Sequence, residues 1–252
     1  MKMKAMFDMV HGVSSAECGP VKVLGVRWIP GRDAFCFDGV CLPADVVPTK
    51  RAVLSFIARL YDPLGFVAPF TMMAKLLFQD IWQLGLKWDA VLPDNLSLTF
   101  SQWVKGLSEL KEFEIPRCFT ERPWNDGEGV ELHAFGDASP KGYGAAVYLR
   151  AAREDGSYAA SLVMAKGRVA PLKELSLPRL ELLASLMAAR LLVFVRQALR
   201  LPVSVTHRCW TDSMVALGWI RGDPSRWKQY VSSRVTEIQR VTSPSSWAHA
   251  AG

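Results

Sequence analysis

The sequence predicts an α/β fold: a mixed sheet with helices over residues 130–252, preceded by a small helical region with an N-terminal β-hairpin. Three observations carry this. From Val130 onward, three alternating apolar–polar stretches precede one long stretch of helical spacing, and strand, helix, helix and strand follow. Between Thr49 and Leu110 the apolar spacing is helical throughout. Between these regions lies PRCFTERPWNDGEG, rich in Pro, Gly and charge, which reads as a linker. The expected domains are 1–48 with the hairpin, 49–115 helical, 116–129 linker, and 130–252 α/β.

Taken in order, VKVLGVRW (21–28) alternates as one strand, Pro30 and Gly31 turn the chain, and Ala34 to Phe37 returns as the hairpin's second strand. Gly39 and Pro43 end this unit. It is too short to bury a core of its own, as expected of a fragment whose packing partner lies upstream. The first helix carries Val53, Leu54, Ile57, Leu60 and Tyr61, with Thr49 as N-cap, and Asp62-Pro63-Leu64-Gly65 breaks it. The second runs from about Pro69 to Leu84, with Gly85 past its end and Met72, Met73, Leu76, Leu77, Ile81 and Trp82 on its stripe. The third follows Pro93 and carries Leu98, Trp103, Val104, Leu107 and Leu110. These Met and Trp residues are expected in core packing.

In the α/β region, strands are expected at Glu131 to Phe135, Gly144 to Tyr148 and Ser161 to Lys166. A long helix from Pro178 to Arg200 presents Leu182, Leu183, Leu186, Met187, Leu191, Phe194 and Val195 as a wide stripe for a sheet. A strand at Val205 to Trp210, helices at Ser213 to Ile220 and Trp227 to Val241, and a strand at Ser246 to His249 complete the order. The long crossing helix predicts parallel pairing between the third and fourth strands.

Half of the 252 residues are hydrophobic and 21% are charged, which excludes a disordered chain. The five cysteines are scattered, without a C-x-x-C pair or a histidine cluster, so disulfide frameworks and zinc sites are not expected and a reducing compartment is. MKMKAMFDMV is too short and polar for a signal peptide, and charges interrupt every long apolar run, so neither secretion nor a membrane is expected. Residues 1–128 have 14 Lys and Arg against 15 Asp and Glu, whereas 129–252 have 16 against 9. The basic excess lies in the C-terminal half and suits a nucleic-acid partner there as well as it suits plain solubility.

That half also holds three carboxylates in apolar surroundings. Asp137 closes the first strand, on the same face as His133 and Phe135. Glu181 stands in the first turn of the long helix, and its own face continues through the small residues Ala184, Ser185 and Ala188, which let a helix approach a sheet closely. Asp212 follows the fourth strand. Each alone has an ordinary role: Asp212 as helix N-cap, Glu181 against the helix dipole, Asp137 in a turn. Gathered together they repel one another unless a divalent cation neutralises them, and hard Mg²⁺ prefers such oxygens.

The order and wording of these stretches resemble the RNase H region of Bel/Pao long-terminal-repeat retrotransposons. The resemblance rests on LHAFGDASPKGYGAAVYLR, KGRVAPLKELSLPRLELLASLMAARLL, CWTDSMVALGWI and WKQYVSSRVTEIQ, in that order. Upstream, VKVLGVRW is similar to the strand near the reverse-transcriptase primer grip, and TKRAVLSFIARLYDPLGFVAPFTMMAKLLFQDIW to the thumb and connection segment that follows. The resemblance implies a pol polyprotein fragment: a reverse-transcriptase remnant over 1–48, a thumb/connection-like region over 49–115, and an RNase H-like domain over 130–252. It implies Asp137, Glu181 and Asp212 as catalytic ligands of two Mg²⁺ ions, with Mn²⁺ also serving, for hydrolysis of the RNA strand of an RNA–DNA hybrid. Lys166, Arg168 and Arg179 are the nearest candidates for phosphate contacts, or else a solvated face. The rest of the polyprotein is the implied protein partner, and the cytoplasm, a virus-like particle or the nucleus the implied location.

The sequence departs from that pattern in one respect. RNase H domains usually add a fourth carboxylate on a final helix, and no Asp or Glu follows Glu237 here, as in a C-terminally truncated domain. Two readings therefore stand: a metal-dependent ribonuclease, and a remnant that folds and binds nucleic acid without cleaving it. No Asp-Asp pair occurs, so the chain is not expected to polymerise alone, and no D-T-G or D-S-G segment occurs, so aspartic proteolysis is not expected.

Overall fold

The structure is a computed structural model, and it describes residues 21–23, 26–38, 46–120 and 129–251. The chain divides into two compact units, Met1–Pro63 with Met73–Cys118, and Leu64–Met72 with Phe119–Gly252.

The first unit contains a small antiparallel sheet of β1 (Val21–Val23), β2 (Val26–Ile29), β3 (Ala34–Cys36) and β4 (Glu114–Pro116), in that spatial order. The stretch expected as one strand over 21–28 is two antiparallel strands, with Val23 paired to Val26. The pairing of β2 with β3 is the expected hairpin. β4 falls at the end of the region expected to be helical, with only Pro116 reaching into the expected linker. It is held by Arg117, which donates to both Asp33 carboxylate oxygens at 2.6 and 2.8 Å, keeping that carboxyl below its ordinary range. Gly39 and Pro43 lie outside the described residues.

Helices α1 (Lys50–Arg59), α2 (Ala68–Gln83) and α3 (Asp94–Glu109) match the expected three. Thr49 caps α1, accepting from the Ala52 amide at 3.1 Å, and Gly85 past α2 has φ +63°. Val53, Phe56, Ile81, Phe100 and Leu107 are buried, with Phe56 edge-on to Phe100 at 5.7 Å. Leu54, Tyr61, Met73, Trp82 and Leu98, expected in the core, are exposed instead. Each helix buries a stripe narrower than its apolar content. Trp82 serves another purpose: buried Lys50 lies over its ring, Nζ 3.8 Å from the centroid.

The second unit is the expected mixed sheet: β5 (Val130–Ser139), β6 (Gly142–Ala152), β7 (Tyr158–Val169), β8 (Thr206–Thr211) and β9 (Trp247–His249), in the order β7-β6-β5-β8-β9. β5, β6 and β7 are antiparallel neighbours, while β8 runs parallel to β5 and β9 parallel to β8. The fourth strand of this unit therefore pairs with the first rather than the third. On β7 the Ala165 amide is engaged by the Leu64 carbonyl at 2.8 Å, while β8 occupies the side of β5 away from β6.

Helix α4 (Leu177–Ala198) crosses one face of the sheet, followed by α5 (Met214–Arg221) and α6 (Gln229–Val241). Even-numbered Leu132 and Ala134 of β5 and odd-numbered Val147 and Leu149 of β6 join Leu182, Leu186, Ala189, Leu192 and Val195 of α4 in one core. Phe194, expected on the buried stripe, is exposed. On the other sheet face, Phe135, Trp210 and His133 stack in a row, with the Trp210 indole donating to His133 Nδ1 at 3.1 Å. No helix among the described residues is long and apolar enough to cross a membrane.

Candidate metal centre

The strand register explains how two of the three carboxylates meet. Gly136 of β5 pairs with Thr211 of β8 in the parallel ladder, and Asp137 and Asp212 each follow by one residue. Adjacent strands lie about 4.8 Å apart, so the two backbones deliver both side chains to one spot. Glu181 arrives from the core face, near the start of α4. Carboxylate oxygens of Asp137, Glu181 and Asp212 all lie within 4.8 Å of one another.

The close approach of α4 depends on small residues on both partners. A Cβ placed on Gly136 would stand 2.8 Å from the Ala184 carbonyl carbon and oxygen and 3.0 Å from the Ser185 nitrogen. These are backbone atoms of a helix and cannot swing aside. Gly136→Ala is therefore expected to cost about 1–3 kcal/mol and to push Glu181 away from the strand ends. Urea unfolding measures the cost, and a parallel Mn²⁺ titration measures the displacement. An unchanged midpoint and affinity would show that helix and strand have slack there.

Glu181 is the buried member, at 5% exposure, while Asp137 and Asp212 are exposed. Burial pushes its carboxyl up to about 7, and the Asp212 and Asp137 charges push the same way, against a hydrogen bond from the Ala138 backbone N–H. Its Oε2 is buried without a hydrogen-bond partner. A buried carboxylate oxygen left bare is costly, and a cation satisfies it.

Asp212 is not the helix cap. Ser213 fills that role, its hydroxyl accepting from the Ala216 amide at 3.2 Å. The peptide around Asp212 is fixed from β9: His249 Nε2 donates to the Asp212 carbonyl at 3.0 Å, and the Ala250 amide to the Thr211 carbonyl at 3.0 Å. The Asp212 carboxylate is thereby left for other work. His249 and Gly136 were not singled out from sequence. A glycine inside an alternating strand is the signal that would have marked the second.

The three basic candidates separate. Arg179 lines an open cleft of about 530 Å³ together with Ser176, Pro178, Trp219, Trp227, Lys228 and Val231. Trp227 Nε1 within that lining is buried and unpartnered. Lys166 and Arg168 stand exposed on β7, in register with Ala145 and Tyr143 of β6, and take no part in the cleft. Trp219, Trp227 and Lys228 come from α5, the turn after it and the residue before α6, a grouping visible only once the helices are packed.

Among curated proteins none matches the sequence. Of solved structures, RNase H1 from the halophilic archaeon Halobacterium salinarum NRC-1 is similar at 14% identity over 48% of this chain and 86% of that one, with a TM-score of 0.30. The foamy viral protease-reverse transcriptase in complex with dsDNA is similar at 12% identity over 93% of this chain and 45% of that one, with a TM-score of 0.43. A family match runs through residues 49–213, which is well over half of the chain and takes in the helical region, the strands β5 to β8 and all three carboxylates. The chain belongs to the family described as the Pao retrotransposon-like RNaseH-like domain.

Proposed function

We propose that this chain is the ribonuclease part of a retrotransposon pol polyprotein, hydrolysing the RNA strand of an RNA–DNA hybrid with divalent cations held by Asp137, Glu181 and Asp212. The observation that carries the reading is the carboxylate cluster with its buried, unpartnered Glu181 Oε2. The donor set fits the group: three carboxylates, with no sulfur or imidazole among them, suit a hard cation such as Mg²⁺ or Mn²⁺ rather than zinc. Divalent cations at such a site supply activation of water and stabilisation of charge at the scissile phosphate.

The chain's own residues divide the remaining work. Asp137 and Asp212 face solvent and meet the substrate side, while Glu181 anchors the cluster from the core. Arg179 and Lys228 offer cations to a nucleic-acid backbone, and Trp219 and Trp227 offer indole faces to its sugars or bases. Lys166 and Arg168 offer two further exposed cations on β7. Residues 1–48 and 49–115 fit the same reading as the end of a reverse transcriptase and its thumb/connection-like region, with 116–129 as linker.

The test is cleavage of an end-labelled RNA–DNA hybrid by the purified chain in Mg²⁺, in Mn²⁺ and in EDTA. Cleavage confined to the RNA strand and to the metal-containing reactions is expected. Binding of the hybrid without cleavage in either metal would instead establish the non-cleaving remnant.

A further inference from the structure

We infer that Leu64–Met72, which precedes the linker in sequence, is a strap that closes the edge of β7 and sets the β5–β6 hairpin carrying Asp137, so that metal affinity at the carboxylate cluster depends on it. The inference rests on the reading of Asp137 as a metal ligand.

β7 is the outermost strand of its sheet, and an outermost strand leaves a row of amides and carbonyls unpaired. Here the Ala165 amide donates to the Leu64 carbonyl at 2.8 Å. The next residue must be glycine for two separate reasons. Gly65 has φ +75°, and a Cβ there would fall on the Ala165 carbonyl. From Gly65 the chain turns directly into α2, the Ala68 amide donating to the Gly65 carbonyl at 3.1 Å, while Phe66 and Val67 are buried.

Met72 completes the strap. Asp137, Gly144 and Gly167 form one rung across β5, β6 and β7, and Met72 Sδ lies 3.6 Å from where a Cβ on Gly167 would stand. A Cβ on Gly142, which pairs with Ser139 at the hairpin turn, would collide with Met72 Cε. Gly142 is fixed twice over, since a Cβ there would also stand 2.8 Å from the Arg168 carbonyl, while Gly167 leaves Met72 Sδ an ordinary packing contact. Met72 is thus a positioning residue, acting on Asp137 through the hairpin and the rung.

The test uses the full chain and three variants. Gly65→Ala breaks the strap. Met72→Ala empties its seat without backbone strain. Gly85→Ala is the control, since Gly85 has φ +63° but nothing within 4 Å of its Cβ position. Amide exchange at Ala165 reads the strap, and Mn²⁺ titration calorimetry reads the cluster. Gly65→Ala is expected to exchange Ala165 at least about tenfold faster, and both strap variants to bind Mn²⁺ roughly tenfold more weakly, the scale of lost outer-shell support. Gly85→Ala is expected to change neither.

Unaltered Ala165 exchange in folded Gly65→Ala would overturn the strap. Unaltered Mn²⁺ affinity in Met72→Ala would overturn its role in positioning, and decides the matter if Gly65→Ala does not fold. Absence of Mn²⁺ binding by the unsubstituted chain overturns the ligand reading and the positioning role together, while Ala165 exchange still reads the edge closure.

Discussion

Asp137→Asn is expected to abolish hybrid cleavage while leaving the fold intact. The side chain is exposed, and the substitution keeps its size and its backbone pairing with Gly144. Stability is therefore expected to stay within about 0.5 kcal/mol of the parent. What is lost is one of three charges facing a single point. The three act as a unit, so removing one costs far more than its share, and a fall on the order of 10³-fold or more in cleavage rate is expected. The check is a single-turnover assay on an RNA–DNA hybrid in Mg²⁺, alongside thermal unfolding. A folded variant with parental activity, or cleavage by the parent that persists in EDTA, would sink the assignment.

Glu181→Gln is expected to stabilise the metal-free protein at pH 8 and to erase its response to Mg²⁺. The Glu181 carboxyl is pushed from 4.5 up to about 7, so the folded state holds a proton that the unfolded state releases between those values. Metal-free stability from this group is full below about pH 4.5 and is lost as pH rises to about 7, a change on the order of 3 kcal/mol. A cation binding the ionised form reverses the sense, so stabilisation by Mg²⁺ is expected to grow from pH 6 to pH 8. His207 acts oppositely in part of the same window, since burial pushes its pKa down. The informative quantity is thus the difference between parent and variant in urea unfolding, with and without Mg²⁺. A variant no more stable than the parent at pH 8 without metal would show that the Glu181 carboxylate is not strained.

Much of this was legible in the sequence because the signals were local. The strands of the α/β region, its three helices and the Thr49 cap follow from alternation, spacing and capping chemistry, all properties of a few neighbouring residues. The β5–β8 pairing was not legible, because nothing in either strand names its partner, and the helix between them suited β7 as well as β5. The short β4 escaped for a related reason: Glu114–Pro116 is a strand only because β3 lies beside it and Arg117 reaches Asp33. At the site, residue types and order pointed to the three carboxylates. Their convergence depended on Gly136 admitting α4, and the release of Asp212 depended on Ser213 taking the cap, both facts of packing.

The parallel ladder between β5 and β8 also dictates when the centre can come into being during folding. Asp137 lies on β5 and Asp212 directly after β8, with two strands and a long helix between them, so the cluster is absent from any species built of local hairpins alone. It appears only when the most distant pairing of the sheet closes, late on a route that pays loop entropy first. Mg²⁺ is accordingly expected to slow unfolding and to leave the refolding rate nearly unchanged, the behaviour of a latch on the finished structure and not of a template for it.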